Sequence, residues 1–189
     1  SSPADLVHAE VYLCMRVFLC RFASQHLTGF WPIILTEMVR ILAQAKVDLP
    51  ADKSDRLQLV FSVVKLADFL ITLQTDDFQI HQWLLITDTP DATNPASSYM
   101  ADSLLDCLAK FVSECQRELV FDANDSLERA QQRRPLLQMS SVATISTLQP
   151  FFATASRAFY QCDFHATLDW DNINACLLHD LFEPIHTNT

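Results

Sequence analysis

Glycine is nearly absent from this sequence. The 189-residue chain contains one, Gly29, where an average composition would supply about 13. Dinucleotide-binding loops, phosphate-binding loops and nucleophile elbows each need two or more glycines, and EF-hand loops need one at their sharp turn. Tight β-hairpins also favour Asn-Gly or Asp-Gly turns. The shortage therefore disfavours these sites and a hairpin-rich sheet, and it favours a helical protein whose helices end without glycine caps.

Basic residues are also few. Lysine and arginine number 13 against 23 aspartates and glutamates, which gives a net charge of −10. Because phosphate contacts need clustered cations, this balance disfavours nucleic-acid binding and adhesion of the whole surface to anionic lipid. The one dense basic cluster comprises Arg129, Arg133 and Arg134. It is interpreted either as a solvated helix face or as a contact for anionic lipid head groups or an acidic partner.

Long apolar runs and paired cysteines are absent as well. The most hydrophobic stretch, residues 11–22, is interrupted by Arg16 and Arg21 and falls short of the roughly 20 apolar residues that span a bilayer. None of the six cysteines forms a C-x-x-C pair, and most lie in apolar helical runs, where a free cysteine behaves as a small hydrophobe. We therefore expect a reduced, cytosolic chain without disulfides or a membrane span.

Half of the residues are hydrophobic, and their spacing predicts about seven helices. The expected helices cover residues 5–23, 28–45, 54–73, 76–86, 98–118, 147–161 and 172–182. This pattern predicts a single all-α module over residues 1–189, either a helical bundle or a HEAT- or armadillo-like α-solenoid segment. Its parts are a helix-rich region 1–86, a loop 87–98, and helices 98–118 and 147–182 separated by a polar break 119–140.

Two of the expected helices carry polar residues only along a narrow line. In the helix over 54–73 the polar positions step by 4, 3, 3 and 4 and are Gln58, Ser62, Lys65, Asp68 and Thr72. In the helix over 28–45 they are Thr36, Glu37, Arg40 and Gln44. Because a surface helix has a wide polar face, we expect both helices to have neighbours on most sides.

Candidate catalytic and metal-ligating residues form no local motif of known mechanism. Cys176, His179 and Glu183 recur along one helix side, with Cys162 or His165 as a fourth ligand, but structural zinc sites usually show two tight pairs. Asp169 and Asp171 could serve acid–base chemistry, although the start of a helix favours acids in any case. We therefore expect no catalytic residue, metal or cofactor, and a metal-dependent enzyme built on Cys176, His179 and Glu183 is the remaining alternative.

Several short segments resemble the C-terminal region of the Dopey family of large trafficking proteins. The most specific is Gln25-His26-Leu27-Thr28-x-x-Trp31-Pro32, followed by Thr36-Glu37. Residues 78–83, with Phe78 and Trp83, resemble an F-Q-x-x-x-W segment, and residues 148–152, with Pro150, Phe151 and Phe152, resemble an L-x-P-F-F segment. The closing helix with Leu177, Asp180, Leu181, Phe182 and Glu183 also fits. We expect these residues to be structural.

The resemblance implies a non-enzymatic scaffold. Dopey proteins are long, helical and cytosolic, and they attach peripherally to Golgi, trans-Golgi and endosomal membranes. They act with a large scaffold related to Arf exchange factors and with P4-ATPase phospholipid flippases, and phosphoinositide or phosphatidic-acid binding has been linked to them. The resemblance thus implies a C-terminal module of a longer chain that works by protein–protein contact in vesicle transport. The alternative is a lipid-binding helical module, and dimer formation is left open.

Overall fold

The computed structural model describes residues 3–81, 84–86, 103–115, 128, 131–161 and 166–182. These ranges contain seven α-helices: α1 Pro3–Arg21, α2 Trp31–Val47, α3 Asp55–Leu73, α4 Asp76–His81, α5 Leu104–Cys115, α6 Gln149–Gln161 and α7 Trp170–Phe182. The 3₁₀ turns Ser24–His26 and Thr28–Phe30 precede α2, and Ile145–Leu148 precedes α6. No strand occurs in these ranges. The predicted all-helical class is confirmed, and the arrangement is consistent with a bundle or a solenoid segment.

Two predicted helix boundaries differ from the observed ones by five residues or more, and the others that the structure describes differ by three or fewer. The fourth helix was expected to reach residue 86, but α4 ends at His81 and Leu85 and Ile86 lie in a turn. The fifth was expected to begin at residue 98, but α5 begins at Leu104, because the Ser103 hydroxyl caps it by accepting the backbone N–H of Asp106 at 3.1 Å. The predicted loop 87–98 and residues 99–102 and 116–118 of the predicted fifth helix lie outside the described residues.

Helix ends are closed without glycine, as predicted. Gln74 ends α3 in the left-handed conformation (φ 51°, ψ 47°), and its N–H bonds the carbonyl oxygen of Leu70. Lys53 and Arg133 also have positive φ, a conformation that disfavours residues with a Cβ by roughly 1–2 kcal/mol. Gly29 has no positive φ, and a Cβ there would meet no atom within 4 Å. The single glycine therefore occupies a position that other residues could fill.

Helix α3 lies at the centre of the fold. Helix α1 packs along it, α2 and α6 contact it from other sides, and α5 packs on both α6 and α2. All residues from Leu59 to Leu73 are buried, and buried side chains of all seven helices form one hydrophobic cluster. The neighbours predicted for α3 are confirmed, and most of its polar stripe is buried with the rest.

Helix α2 has neighbours on fewer sides than predicted. Its buried residues include Leu35, Met38 and Ile41, while its polar line faces solvent together with Ile33 and Val47. The narrow polar line of this helix therefore did not indicate neighbours on most sides, because apolar residues such as Ile33 are themselves exposed.

Candidate protein-docking surface

Helix α1 has two apolar faces, and only one of them is buried. The face with Tyr12, Leu13 and Leu19 is buried in the core. On the opposite side a stripe spaced by 4, 3, 4 and 4 residues faces solvent, formed by Val7, Val11, Cys14, Phe18 and Phe22. Its exposed fractions reach 62% at Val7 and 54% at Phe22. A helix that is apolar all round normally has neighbours on every side, so this stripe is a surface that lacks a neighbour among the described residues.

Helix α7 extends the apolar surface beside α1. The two helices run antiparallel, because Arg16 pairs with Asp180 while Arg21 donates to Asn174 Oδ1 at 3.0 Å. The inward residues of α7 include the buried Ile173. Its outward residues Leu178, Leu181 and Phe182 are exposed. Together with the α1 stripe they form the α1/α7 face.

The α1/α7 face carries most of the exposed apolar bulk of the described chain. Of the twelve large hydrophobic side chains that are exposed, seven belong to it: Val7, Val11, Phe18, Phe22, Leu178, Leu181 and Phe182. Single exposed hydrophobic residues are ordinary on a protein surface, whereas a concentrated patch marks an interaction site. The α1/α7 face is therefore the candidate docking surface.

A groove borders this face between α1 and the start of α2. It has a volume of about 640 Å³ and is lined by His8, Val11 and Tyr12 on α1 and by Pro32, Ile33 and Glu37 on α2. Val11 thus belongs both to the α1 stripe and to the groove. The groove is mostly apolar, so it can accept a hydrophobic side chain from a partner docked on α1.

The residues of the Dopey-like motifs fall into two groups. The first group is buried in the hydrophobic cluster and comprises Leu27, Trp31, Phe78, Phe151 and Phe152. The second group lies at or near the surface. In it, three side chains are exposed (Gln25, His26 and Thr28), two line the groove (Pro32 and Glu37), and Pro150 is half-buried in the first turn of α6. The Phe78 ring meets Phe159 edge-on with 6.1 Å between ring centroids, which ties α4 to α6. Trp83 lies outside the described residues.

The arginine cluster is engaged within the molecule where the structure describes it. Arg133 donates to the carbonyl oxygens of Leu73 at 2.8 Å and Ala166 at 3.2 Å, so it caps the C-terminus of α3. Arg134 pairs with Asp169, which lies just before α7. Arg129 lies outside the described residues. A lipid or acidic-partner contact at Arg129, Arg133 and Arg134 stays a prediction.

Asp169 has a structural role at the start of α7. Its Oδ1 accepts the backbone N–H of Asn172 at 3.0 Å and its Oδ2 accepts from Arg134 at 2.6 Å. These two hydrogen bonds lower the pKa of the Asp169 carboxyl. An acid at this position caps the helix and interacts favourably with its dipole.

A buried ion network joins three helices beneath the α1/α7 face. Asp180 on α7 accepts from Arg16 on α1 with one carboxylate oxygen and from Lys65 on α3 with the other. Each of the three side chains is at most 7% exposed. Arg16 also lies over the Phe69 ring at 5.7 Å and Lys65 over the Phe61 ring at 4.9 Å. One carboxylate is thus the shared ion-pair partner of two buried cationic side chains.

Asp68 lies next to this network and is fully buried. Its two carboxylate oxygens accept the backbone N–H groups of Leu136 and Leu137 at 2.9 and 2.8 Å, which anchors the segment before α6 to α3. Burial raises the pKa of Asp68 to about 7, against the opposing effect of the two N–H groups and of the nearby Lys65 and Arg16. The carboxyl therefore titrates near neutral pH.

Raising the pH is expected to destabilise the fold through Asp68. Because its pKa rises from 3.8 to about 7 on folding, the native state binds the proton more tightly, and that stabilisation is lost as the pH rises through this interval. Each pH unit in the interval lowers the free energy of unfolding by at most about 1.4 kcal/mol. Urea unfolding at several pH values between about 5 and 8 measures the slope.

The variant Asp68→Asn is the control for this pH dependence, because it removes the titrating group and should flatten the slope. The pKa values of Glu37 and Asp169 are lowered, so these groups act at more acidic pH with the opposite sign. An equally steep slope in Asp68→Asn would contradict the assignment.

The network was not predicted from the sequence. Its charge pairs join residues 164 and 115 positions apart, and helical periodicity carries no information on such pairing. The available signal was the presence of charged residues inside apolar helices, Arg16 in α1 and Lys65 and Asp68 in α3.

The described ranges contain neither a metal-binding cluster nor a helix that could span a membrane. No group of three or more His, Cys, Asp or Glu side chains there could hold a metal ion. Cys176 is partly buried and His179 exposed, while Cys162, His165 and Glu183 lie outside these ranges. The cysteines whose side chains are described, Cys14, Cys20, Cys107 and Cys176, are unbridged. Within the same ranges, none of the helices combines the length and apolar character that a bilayer-spanning segment needs.

Comparison with known proteins gives the family. The family model described as DOP1 C-terminal matches residues 1–164. The chain belongs to the DOP1 family. Protein DOP1B of Mus musculus is 27% identical over 189 residues, covering 82% of this chain and 8% of the relative. Protein DOP1B of Xenopus laevis is 25% identical over 183 residues, covering 80% and 8%.

A fungal relative extends the match. Protein dop1 of Emericella nidulans is 32% identical over 109 residues, covering 56% of this chain and 6% of the relative. The chain therefore spans less than a tenth of the length of these DOP1 proteins. No solved structure matches it. The resemblance to the Dopey family, which is the DOP1 family, is confirmed.

Proposed function

We propose that the chain is a non-enzymatic scaffold module that binds protein partners through the α1/α7 face during transport between the Golgi, the trans-Golgi network and endosomes. The proposal is supported by membership of the DOP1 family and carried by one observation, the concentration of exposed apolar side chains on α1 and α7. Such a concentration is typical of a protein interface.

The candidate partners are those implied by the family: a large scaffold related to Arf exchange factors and a P4-ATPase flippase. A partner helix with an apolar stripe fits the surface best. The helices α1 and α7 lie side by side, and each presents a row of exposed hydrophobic residues against which such a helix can pack. Arg133 and Arg134 are engaged inside the molecule, which favours protein over lipid as the occupant of this module.

Affinity capture from cells that express the full-length protein tests the proposal. Val11→Arg places a charge in the exposed α1 stripe and is expected to lower the recovery of the scaffold or the flippase by roughly tenfold, the effect typical of an interface hot spot. The matched control is Val47→Arg, because Val47 is 86% exposed at the far end of α2. The control should recover wild-type amounts. Equal recovery with Val11→Arg and Val47→Arg, or capture of neither partner by the wild type, would contradict the proposal.

A further inference from the structure

The border of the α1/α7 face has a net negative charge. Helices α1 and α7 contain no lysine and only two arginines. Arg16 is buried in the ion network, and Arg21 donates to Asn174 Oδ1 at 3.0 Å. Glu10 on α1 and Asp171 on α7 are both exposed. Acids therefore outnumber bases among the exposed side chains that surround this apolar surface.

The two acids are placed to meet a helix that docks on the face. Glu10 lies three residues after Val7 and four before Cys14, so it borders the exposed stripe of α1. Asp171 precedes Leu178 by seven residues, which is two helical turns, so it continues the outward row of α7. Each acid is thus adjacent to exposed apolar side chains of its own helix.

Glu10 and Asp171 lie at opposite ends of the face. Because α7 runs antiparallel to α1 and Asn174 lies beside Arg21, Asp171 lies almost one turn beyond Arg21. Glu10 lies three turns from Arg21 in the other direction. At 1.5 Å of rise per residue, about 20 Å along the helix axis separates the two acids. An opposing helix spans that length with about 13 residues.

The groove beside the stripe accepts apolar bulk rather than charge. Glu37 at its edge is paired with Arg40 at 2.5 Å, so the charges there are balanced. Most of the lining is apolar, and its volume of about 640 Å³ holds a large side chain. Since Val11 belongs to both the stripe and the groove, a helix that lies along α1 can place one side chain in the groove.

We propose that the α1/α7 face binds a cationic amphipathic helix of a partner protein. Its apolar stripe packs on α1 and α7, one large apolar side chain enters the groove, and lysines or arginines near its two ends face Glu10 and Asp171. This inference rests on the proposed function, since it states the chemistry of the segment that the docking surface binds. Charge complementarity gives specificity, and the same two acids repel an anionic lipid surface.

Two synthetic peptides test the charge of the occupant. Each is an amphipathic helix of about 18 residues, long enough to reach both acids. The two share one leucine stripe and differ only in the flanking residues, which are lysine in one and glutamate in the other. Fluorescence anisotropy with the purified chain should show the lysine peptide binding at least about tenfold more tightly. Equal affinities, or no binding of the lysine peptide, would overturn the inference.

Charge reversal tests whether Glu10 and Asp171 are the selecting residues. Glu10→Lys with Asp171→Lys should weaken binding of the lysine peptide by about tenfold and remove the preference. The matched control is Asp48→Lys with Asp52→Lys, which changes the net charge equally at exposed positions between α2 and α3. The control should keep the preference. If both double variants weaken binding equally, the peptide responds to the overall charge of −10 and the site is wrong.

A flotation assay tests a membrane as the occupant. Vesicles of phosphatidylcholine and phosphatidylserine are expected not to carry the wild-type chain upward. Flotation that Val11→Arg abolishes, together with no binding of the lysine peptide, would make lipid the occupant and overturn the inference.

The two proposals fail in distinguishable ways. If the lysine peptide has no preference over the glutamate peptide but Val11→Arg still abolishes capture of the scaffold or the flippase, the docking function stands and the charge of the partner helix is wrong. If the preference depends on Glu10 and Asp171 but Val11→Arg leaves capture unchanged, the face binds cationic helices and the proposed partners dock elsewhere.

Discussion

Replacing Asp180 by alanine is expected to lower the free energy of unfolding by about 3–5 kcal/mol, the cost typical of breaking a buried ion pair. The carboxylate is the common partner of Arg16 and Lys65, and none of the three side chains is more than 7% exposed. Without it, two cations remain in the core, and Arg16 Nε already has no hydrogen-bond partner. Urea unfolding followed by circular dichroism measures the change.

Two variants separate buried charge from lost packing in this prediction. Asp171→Ala removes an exposed acid of the same helix and should change stability by no more than about 0.5 kcal/mol. A triple variant, Arg16→Met with Lys65→Met and Asp180→Leu, replaces all the charges by apolar groups and should recover stability to within about 1 kcal/mol of the wild type. If Asp180→Ala and Asp171→Ala have the same small effect, the network does not hold α7 in place.

Truncating Trp31 to alanine is expected to cost about 3–5 kcal/mol of folding stability, as for other large core aromatics. Its indole is 1% exposed at the first residue of α2, where it joins the hydrophobic cluster. The indole Nε1 is buried without a hydrogen-bond partner, so the residue acts through its volume. Thermal or urea unfolding of Trp31→Ala measures the loss.

The neighbouring aromatic residue is the matched control for Trp31. Phe30 is 58% exposed, and Phe30→Ala should change stability by less than about 0.5 kcal/mol. Trp31→Phe should cost less than Trp31→Ala, because it keeps most of the apolar volume and removes an unsatisfied donor. Comparable losses for Trp31→Ala and Phe30→Ala would contradict a core role for this motif residue.

Local patterns in the sequence predicted the helices well. The scarcity of glycine and the periodicity of apolar residues gave an all-helical chain, and the narrow polar stripe of α3 correctly indicated a helix surrounded by neighbours. These features depend on residues three or four positions apart, which share a helix face whatever the rest of the chain does. The end of α4 and the start of α5 were predicted less well. At α5 the cap at Ser103 outweighs the helical pattern expected from residue 98 onward.

The candidate surface required the structure. The sequence of α1 is apolar over more than one face, but periodicity alone does not say which face is covered. The arginines were the residues singled out for binding, yet Arg133 is used to close α3 and Arg134 to anchor Asp169. The stripe from Val7 to Phe22 is a surface because α3 covers the other side of α1, and that pairing is not encoded in local spacing.

The ion network also bears on the order in which the chain can fold. Arg16 and Lys65 leave the ribosome more than a hundred residues before Asp180, and until it arrives both cations lack their ion-pair partner. The helices built first therefore cannot reach their final packing during synthesis, and α1, α3 and α7 should consolidate together in one late step. A fragment that stops at residue 164, where the family match ends, would lack the carboxylate and should remain a loosely packed intermediate.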